Sequence, residues 1–316
     1  HPVTAGLEDF TITDELWRNP GVVEGVTVLA SSRSVHKTKE IWHPAAVVSA
    51  FGKGRCLGIL LGHGVANMKN PGFRALLVRG TAWAGGGAVS PGRRDVVRLP
   101  VGDGLDGWRG NTGDWVAAGD VFQDPDDPKK LAWKEGTGCL VNGKKGRTRH
   151  LVTEYEHGDC RAHVEFMVPK GSNSGVYFQG RYEIQVLDSW GVKKLTHGDC
   201  GGIYQRWDSK RGRGKQGFEG HPPRVNASRA PGQWQEFDVV FRAPRFDKQG
   251  KKVQDAVFVT VVHNGTLVHE NVAVTGPTRA AMFRDEKPRG PMMLQGDHGP
   301  VAYRNIIIDP LPRSEP

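Results

Sequence analysis

What this sequence lacks narrows its class before any motif is read. No apolar run reaches the roughly 18–20 residues of a bilayer-spanning helix, so no helix is expected to cross a membrane. Cysteine is scarce: Cys56, Cys139, Cys160 and Cys200 are too few for a disulfide scaffold and show no CxxC spacing for a zinc site. A bridge between two of Cys139, Cys160 and Cys200 stays open. Residue 1 is His rather than Met. A processed or truncated chain is therefore expected, with any targeting segment ahead of it out of view.

What is present points to turns and strands. The 316 residues include 43 Gly and 20 Pro, more punctuation than a helical bundle carries. With 37% apolar and 24% charged residues the chain is neither disordered nor embedded in lipid. Residues 1–88 read as α/β. Short apolar runs at 26–30, 46–51 and 55–61 are followed by a helix that Asn70 caps and Pro71 opens, with Phe73, Leu76, Leu77, Gly80 and Trp83 at helical spacing. Strands apolar on both faces followed by such a helix imply part of a parallel sheet. Gly62-His63-Gly64 ends the third run, where α/β sheets place ligand sites, but no nucleophile elbow or phosphate loop accompanies it. An inert turn is expected there.

Residues 89–96 break the composition and read as a linker, leaving 97–312 as a second domain. There the period becomes two. Cys160 to Val168 alternates, as do 176–178, 182–186, 234–241, 257–262 and 301–308, and Asn264-Gly265 marks a two-residue hairpin. Many short strands over about 215 residues imply a jelly-roll β-sandwich.

The chemistry concentrates in residues 171–189, where two strands meet near Gly180. Tyr182, Ile184 and Val186 take one face, and Arg181, Glu183 and Gln185 the other. Asn173, Tyr177 and Gln179 likewise oppose Val176 and Phe178. Amides, a phenol, a guanidinium and a carboxylate on one face suit a hydroxyl-rich ligand better than bare solvent. Gln295, Asp297 and His298 end a later apolar strand, where a His beside a carboxylate can act as acid or base. His-Gly-Asp-Cys occurs at 157–160 and 197–200. The first copy reads as a turn entering a core strand rather than a metal site. Residues 205–252 hold 12 Lys and Arg against 5 Asp and Glu, but without interleaved aromatics this basic stretch reads as a solvated loop, not a nucleic-acid surface.

These motifs carry a family resemblance. Asn173-Ser-Gly-Val-Tyr, Gly180-Arg-Tyr-Glu-Ile-Gln-Val-Leu-Asp-Ser, Cys200-Gly-Gly-Ile-Tyr, Pro231-Gly-Gln-Trp-Gln and Leu294-Gln-Gly-Asp-His-Gly make residues 95–312 resemble the 3-keto-disaccharide hydrolase family. Gly296, inserted before Asp297, departs from that family's pattern. The resemblance implies a concanavalin-like lectin/glucanase sandwich acting on an oligosaccharide or disaccharide substrate, and favours a periplasmic or secreted bacterial protein. His1-Pro-Val-Thr-Ala-Gly-Leu, Phe10-Thr-Ile-Thr-Asp-Glu-Leu and Leu61-Gly-His make residues 1–88 look like the C-terminal part of a trehalose-utilisation (ThuA-like) domain, flavodoxin-like and related to glutamine amidotransferases.

A ketone at sugar C3 acidifies the C2 proton, so the implied reaction is elimination followed by hydration. It needs a base at C2, a donor or cation at the keto oxygen and an acid at the leaving oxygen. Glu183 is the expected base, and Arg181, Gln185 and His298 the stabilisers or acids. Asn173, Tyr177, Gln179, Asp188, Tyr204, Gln295 and Asp297 are expected to position the sugar. No cofactor is certain; a divalent metal at the keto oxygen stays open, with no ligands assigned. Two alternatives stand beside this reading. A non-catalytic carbohydrate-binding module would use the same polar face. An ordinary retaining glucanase would want a second carboxylate about 5–5.5 Å from the first, where this strand has Gln185 and Leu187.

Overall fold

The computed structural model describes all residues except 8, 19, 37, 38, 87–95, 100–104 and 312–316. Most of the expected linker at 89–96 lies outside the described residues. The chain divides into two compact units, His1–Asp95 and Val96–Pro316.

In the first unit β1 (Val26–His36), β2 (Lys39–Phe51) and β3 (Gly54–Ile59) form a sheet in that order, and α1 (Pro71–Ala84) follows. Asn70 caps the helix as expected, accepting from the N–H groups of Gly72 and Phe73 at 2.9 and 3.2 Å. Phe73 and Leu76 are buried, whereas Leu77 is exposed. The parallel sheet expected here is not found: both strand pairs are antiparallel. Only Gly52 and Lys53 separate β2 from β3, and a parallel return needs a crossover of about a dozen residues. The Gly62-His63 turn is tied down by Asp14, which accepts from both backbone N–H groups at 2.5 and 3.2 Å.

The second unit is an antiparallel sandwich. Its elements in chain order are β4 (Val97–Arg98), β5 (Val116–Gln123), β6 (Leu131–Val141), β7 (Leu151–His157), β8 (Cys160–Met167), β9 (Asn173–Phe178) and β10 (Tyr182–Leu187). A small hairpin of β11 (Arg206–Trp207) and β12 (Gly217–Phe218) follows, then β13 (Gln235–Arg242) and a second hairpin, β14 (Arg245–Phe246) with β15 (Lys252–Gln254). The chain closes with β16 (Ala256–His263), β17 (Thr266–Val274), β18 (Gly290–Leu294) and β19 (Ala302–Pro310). The smaller sheet runs β10-β9-β18-β7; the larger runs β17-β16-β13-β8-β19-β6-β5, with β4 paired to β19. This is the jelly-roll sandwich expected from the alternation, and the concanavalin-like form that the family resemblance implies.

The core between the sheets is aromatic. Phe178 of the smaller sheet meets Phe241 and Phe258 of the larger at ring-centre distances of 5.1 and 5.4 Å. Val176, Ile184 and Val186 face the same interior, each 1% exposed or less. Asn264 and Gly265 have φ of 49° and 77°, as a two-residue turn between twisted strands requires. All four cysteines are free thiols. Cys160 and Cys200 lie in the core, where burial raises both thiol pKa values. Among the described residues no helix is long and apolar enough to cross a membrane.

Candidate active site

The site is built on the outer face of the smaller sheet. In the β9–β10 hairpin Tyr182, Ile184 and Val186 pair with Phe178, Val176 and Ser174. Glu183 pairs with Tyr177, Gln185 with Gly175 and Leu187 with Asn173. Cross-strand partners share a face, so the period of two brings Asn173, Tyr177, Glu183 and Gln185 together on one side.

Glu183 is buried, 3% exposed, and lies over Gly175: a β-carbon added at 175 would fall 2.3 Å from its Oε1. Tyr177 hydrogen-bonds the carboxyl group. Burial pushes the Glu183 pKa up to about 8, the Tyr177 hydrogen bond opposes that rise, and the charge of Asp297 adds to it. Tyr177 is fully buried, packed with Met293 and Val152. Two buried amide oxygens share the hairpin, Gln185 Oε1 and Asn173 Oδ1, and neither has a hydrogen-bond partner among the described residues. Such acceptors match donors brought by a ligand, as sugar hydroxyls are.

The outer edge of β10 is covered rather than open. Tyr204 N donates to Glu183 O at 3.1 Å, Gln185 exchanges backbone bonds with Gly201 and Gly202, and Thr278 Oγ1 accepts from Glu183 N at 3.2 Å. Tyr204 thereby stands beside the Glu183–Tyr177 pair, its ring 5.3 Å from that of His197.

The end of β18 supplies the ionisable groups. Asp297 Oδ1 lies 2.5 Å from His298 Nδ1 and 3.9 Å from His150 Nδ1, between two imidazoles. Gly296 N donates to His150 Nδ1 at 3.2 Å, so a neutral His150 carries its proton on Nε2. Burial lowers the His150 pKa, Asp297 opposes that, and His298 lowers it further. The inserted Gly296 has a steric reason: a β-carbon there would meet Arg149 O at 2.3 Å. A cleft of about 530 Å³ opens beside these groups, lined among others by Arg109, Asn111, Arg149, His150, Met282 and Asp297. Val152 belongs both to this lining and to the cluster around Tyr177.

Residues 98–309 match the family model of the 3-keto-alpha-glucoside-1,2-lyase-like domain. The chain belongs to that family. Residues 1–84 match the model of the ThuA family, described as trehalose utilisation. Among curated proteins none matches. A candidate glycosyl hydrolase of Parabacteroides distasonis ATCC 8503 is 27% identical, covering 69% of this chain and 84% of its own, with a TM-score of 0.50. A second candidate from the same organism is 21% identical over 69% and 100%, at 0.43. An endo-beta-1,4-glucuronan lyase of Trichoderma reesei is 13% identical over 68% and 96%, at 0.37. The chain is thus a member of a carbohydrate-active, glycosyl hydrolase- and lyase-like family.

Within this lyase-like unit the expected residues divide into two groups. Asn173, Tyr177, Glu183 and Gln185 share the face, with Tyr204 beside them; Gln295, whose N donates to Gly175 O at 2.9 Å, leads into the Asp297-His298 end. The others are engaged elsewhere. Arg181 Nη1 donates to Gln179 O at 2.8 Å, Nη2 to Asp285 Oδ1 at 2.9 Å and Nε to Asp285 O, and the guanidinium stacks on Phe283. Gln179 binds the carbonyls of His157 and Pro288, both at 3.2 Å. Asp188 accepts from the N–H groups of Gly171 and Trp190 at 2.8 and 3.3 Å, closing a turn. His157 Nε2 accepts from Gln179 N at 3.0 Å, which fits the turn reading of the first His-Gly-Asp-Cys copy. Among the described residues no three His, Cys, Asp or Glu side chains converge to hold a metal ion.

The cleft residues Arg109, Asn111, Arg149 and His150 are absent from the expectations drawn from sequence. Arg147-Thr-Arg-His150, a basic run directly before a strand, is a signal that could have found Arg149 and His150; none marks Arg109 and Asn111.

Proposed function

We propose that this chain cleaves 3-keto-glycosides, 3-keto-disaccharides among them, through elimination across C1–C2 followed by hydration, and that residues 97–312 carry the reaction. The observation that supports this most is the buried Glu183 carboxyl group, hydrogen-bonded by Tyr177 and pushed by burial to a pKa of about 8. A base for a carbon acid works best with a pKa near the working pH, and an ordinary solvated carboxylate near 4.5 is too weak. Ionised Glu183 removes the C2 proton. The electron pair moves onto the 3-keto oxygen as an enolate, which the Gln185 amide N–H group stabilises. As the carbonyl re-forms, the C1–O bond breaks, and the leaving oxygen takes a proton from the imidazole end of the site, where His298 stands against Asp297. Water then adds across C1=C2 and releases the 3-keto sugar. Arg181, bound to Asp285, serves here as a positioning residue for residues 283–285 rather than as the cation at the keto oxygen.

The test is turnover of 3-keto-trehalose against plain trehalose, with and without chelator, for the natural chain and for E183Q. The expected result is cleavage of the keto sugar alone, abolished in E183Q while sugar binding survives. Turnover of trehalose with none of its keto form overturns the mechanism. Binding without cleavage of either sugar favours the non-catalytic carbohydrate-binding module, whose support is the same pair of unpartnered amide oxygens.

A further inference from the structure

The charged residues that line the cleft are Arg109, Arg149 and Asp297, and the chain that flanks this lining is basic. The segments that supply its lining, residues 109–111, 143–152, 279–284 and 295–298, hold seven Lys and Arg against one acid, Asp297. That acid is engaged by His298 at 2.5 Å. Two of the cations are engaged as well: Arg109 bonds Glu156 at 2.7 Å, and Arg279 lies over the Trp207 ring. The others face outward. Arg149 is exposed, lines the cleft and has no ion-pair partner among the described residues. Lys144, Lys145 and Arg147 precede it in the same loop, and Arg284 follows Met282 of the cleft lining; all four are exposed.

A neutral sugar has no use for such a rim, because its hydroxyls are served by amides and phenols of the kind found at Asn173, Gln185 and Tyr177. A guanidinium without a carboxylate partner is matched by the two oxygens of an anionic group, and neighbouring lysines add attraction from a distance. Deeper in, Val152 of the lining packs against the buried Met293 and Tyr177, and Tyr177 hydrogen-bonds the Glu183 carboxyl group. We infer that the cleft takes a glycoside whose aglycone carries an anionic group, a carboxylate, sulfate or phosphate, which Arg149 binds at the rim while the sugar ring lies deeper in. The inference rests on the 3-keto-glycoside reading and adds to it the class of the aglycone.

The experiment uses matched aryl glucosides bearing 4-(carboxymethyl)phenyl, 4-(sulfomethyl)phenyl, 4-(phosphonomethyl)phenyl or neutral 4-(carbamoylmethyl)phenyl groups. The methylene keeps the acidity of the leaving phenol nearly constant. Binding of the unoxidised glucosides to the full chain is measured by calorimetry at low and high salt, and kcat/KM is measured on the 3-keto forms. At least one anionic aglycone is expected to bind about tenfold more tightly than the neutral amide. The advantage shrinks at high salt and is lost in R149Q. Comparison among the three anions identifies the preferred one. Equal binding of all four, no binding of any, or an advantage that persists in R149Q overturns the inference. Because binding is read without turnover, an anionic preference with no cleavage of the 3-keto forms leaves the rim intact and removes the proposed reaction. Cleavage of all 3-keto forms at equal kcat/KM with equal binding does the reverse.

Discussion

Glu183 leans over Gly175, its diagonal neighbour in the β9–β10 hairpin, so closely that a methyl group at 175 would stand 2.3 Å from Glu183 Oε1. The glycine is the space in which the carboxyl group lies. G175A is therefore expected to displace the carboxyl group with the hairpin still formed, because Gly175 does not lie in the left-handed region. A shift of about 1 Å in a reacting group costs on the order of a hundredfold in rate. The measurement is kcat on a 3-keto-glucoside together with circular dichroism. Full activity in a folded G175A chain contradicts the placement of Glu183 at the reaction centre.

Two neighbours of Glu183 pull its pKa in opposite directions, which sets a paired test. The Tyr177 hydrogen bond favours the ionised carboxylate, and the charge of Asp297 disfavours it. The rising limb of kcat/KM with pH, expected near 8, should move to higher pH in Y177F and to lower pH in D297N. Shifts of the same sign in both variants would separate that limb from Glu183.

Much of this site is legible in the sequence because it is local. Alternation from Asn173 to Leu187 assigns faces across one tight hairpin, and the structure keeps those faces. The roles that depend on distant pairing are not legible. His150 joins the site because Leu151 pairs with Leu294, which sets the start of β7 beside the end of β18. Arg181 is drawn to Asp285, whose position the local pattern does not reveal. In the first unit the apolar runs are strands as expected, but their direction follows from the short Gly52-Lys53 connection, a cue the two-faced apolar pattern outweighed.

Stability should depend on pH from two sides. His157, His263 and His269 are buried, and burial lowers each to about 4, below the ordinary 6.5. Their contribution is complete above about 6.5 and is lost as pH falls toward 4, since the unfolded chain takes up those protons first. For Glu183 the sign is reversed. Its pKa of about 8 lies above the ordinary 4.5, so its contribution is complete below 4.5 and is lost as pH rises through 8. Urea denaturation at pH 5, 6.5 and 8 is expected to show E183Q losing less stability than the natural chain from pH 6.5 to 8, and more from pH 6.5 to 5, where the natural chain regains the Glu183 contribution against the loss from the histidines. An unchanged alkaline slope in E183Q contradicts a buried, neutral Glu183.

His150 Nδ1 accepts from Gly296 N, which leaves the proton of the neutral ring on Nε2. H150Q retains a side-chain donor but no titration, and is expected to lower kcat less for a nitrophenyl leaving group than for a sugar alcohol, because the poorer leaving group depends more on a proton. Equal losses on both substrates would assign His150 to binding alone.

The most direct test of elimination at C2 is cleavage of a 3-keto-glucoside in D2O, followed by early-time NMR of the released sugar. Released 3-keto sugar incubated alone corrects for spontaneous exchange. Deuterium at C2 in the first product formed, absent from uncleaved substrate in E183Q, is the expected result. Product that retains its original C2 proton would contradict proton abstraction by Glu183 and leave direct hydrolysis as the reaction.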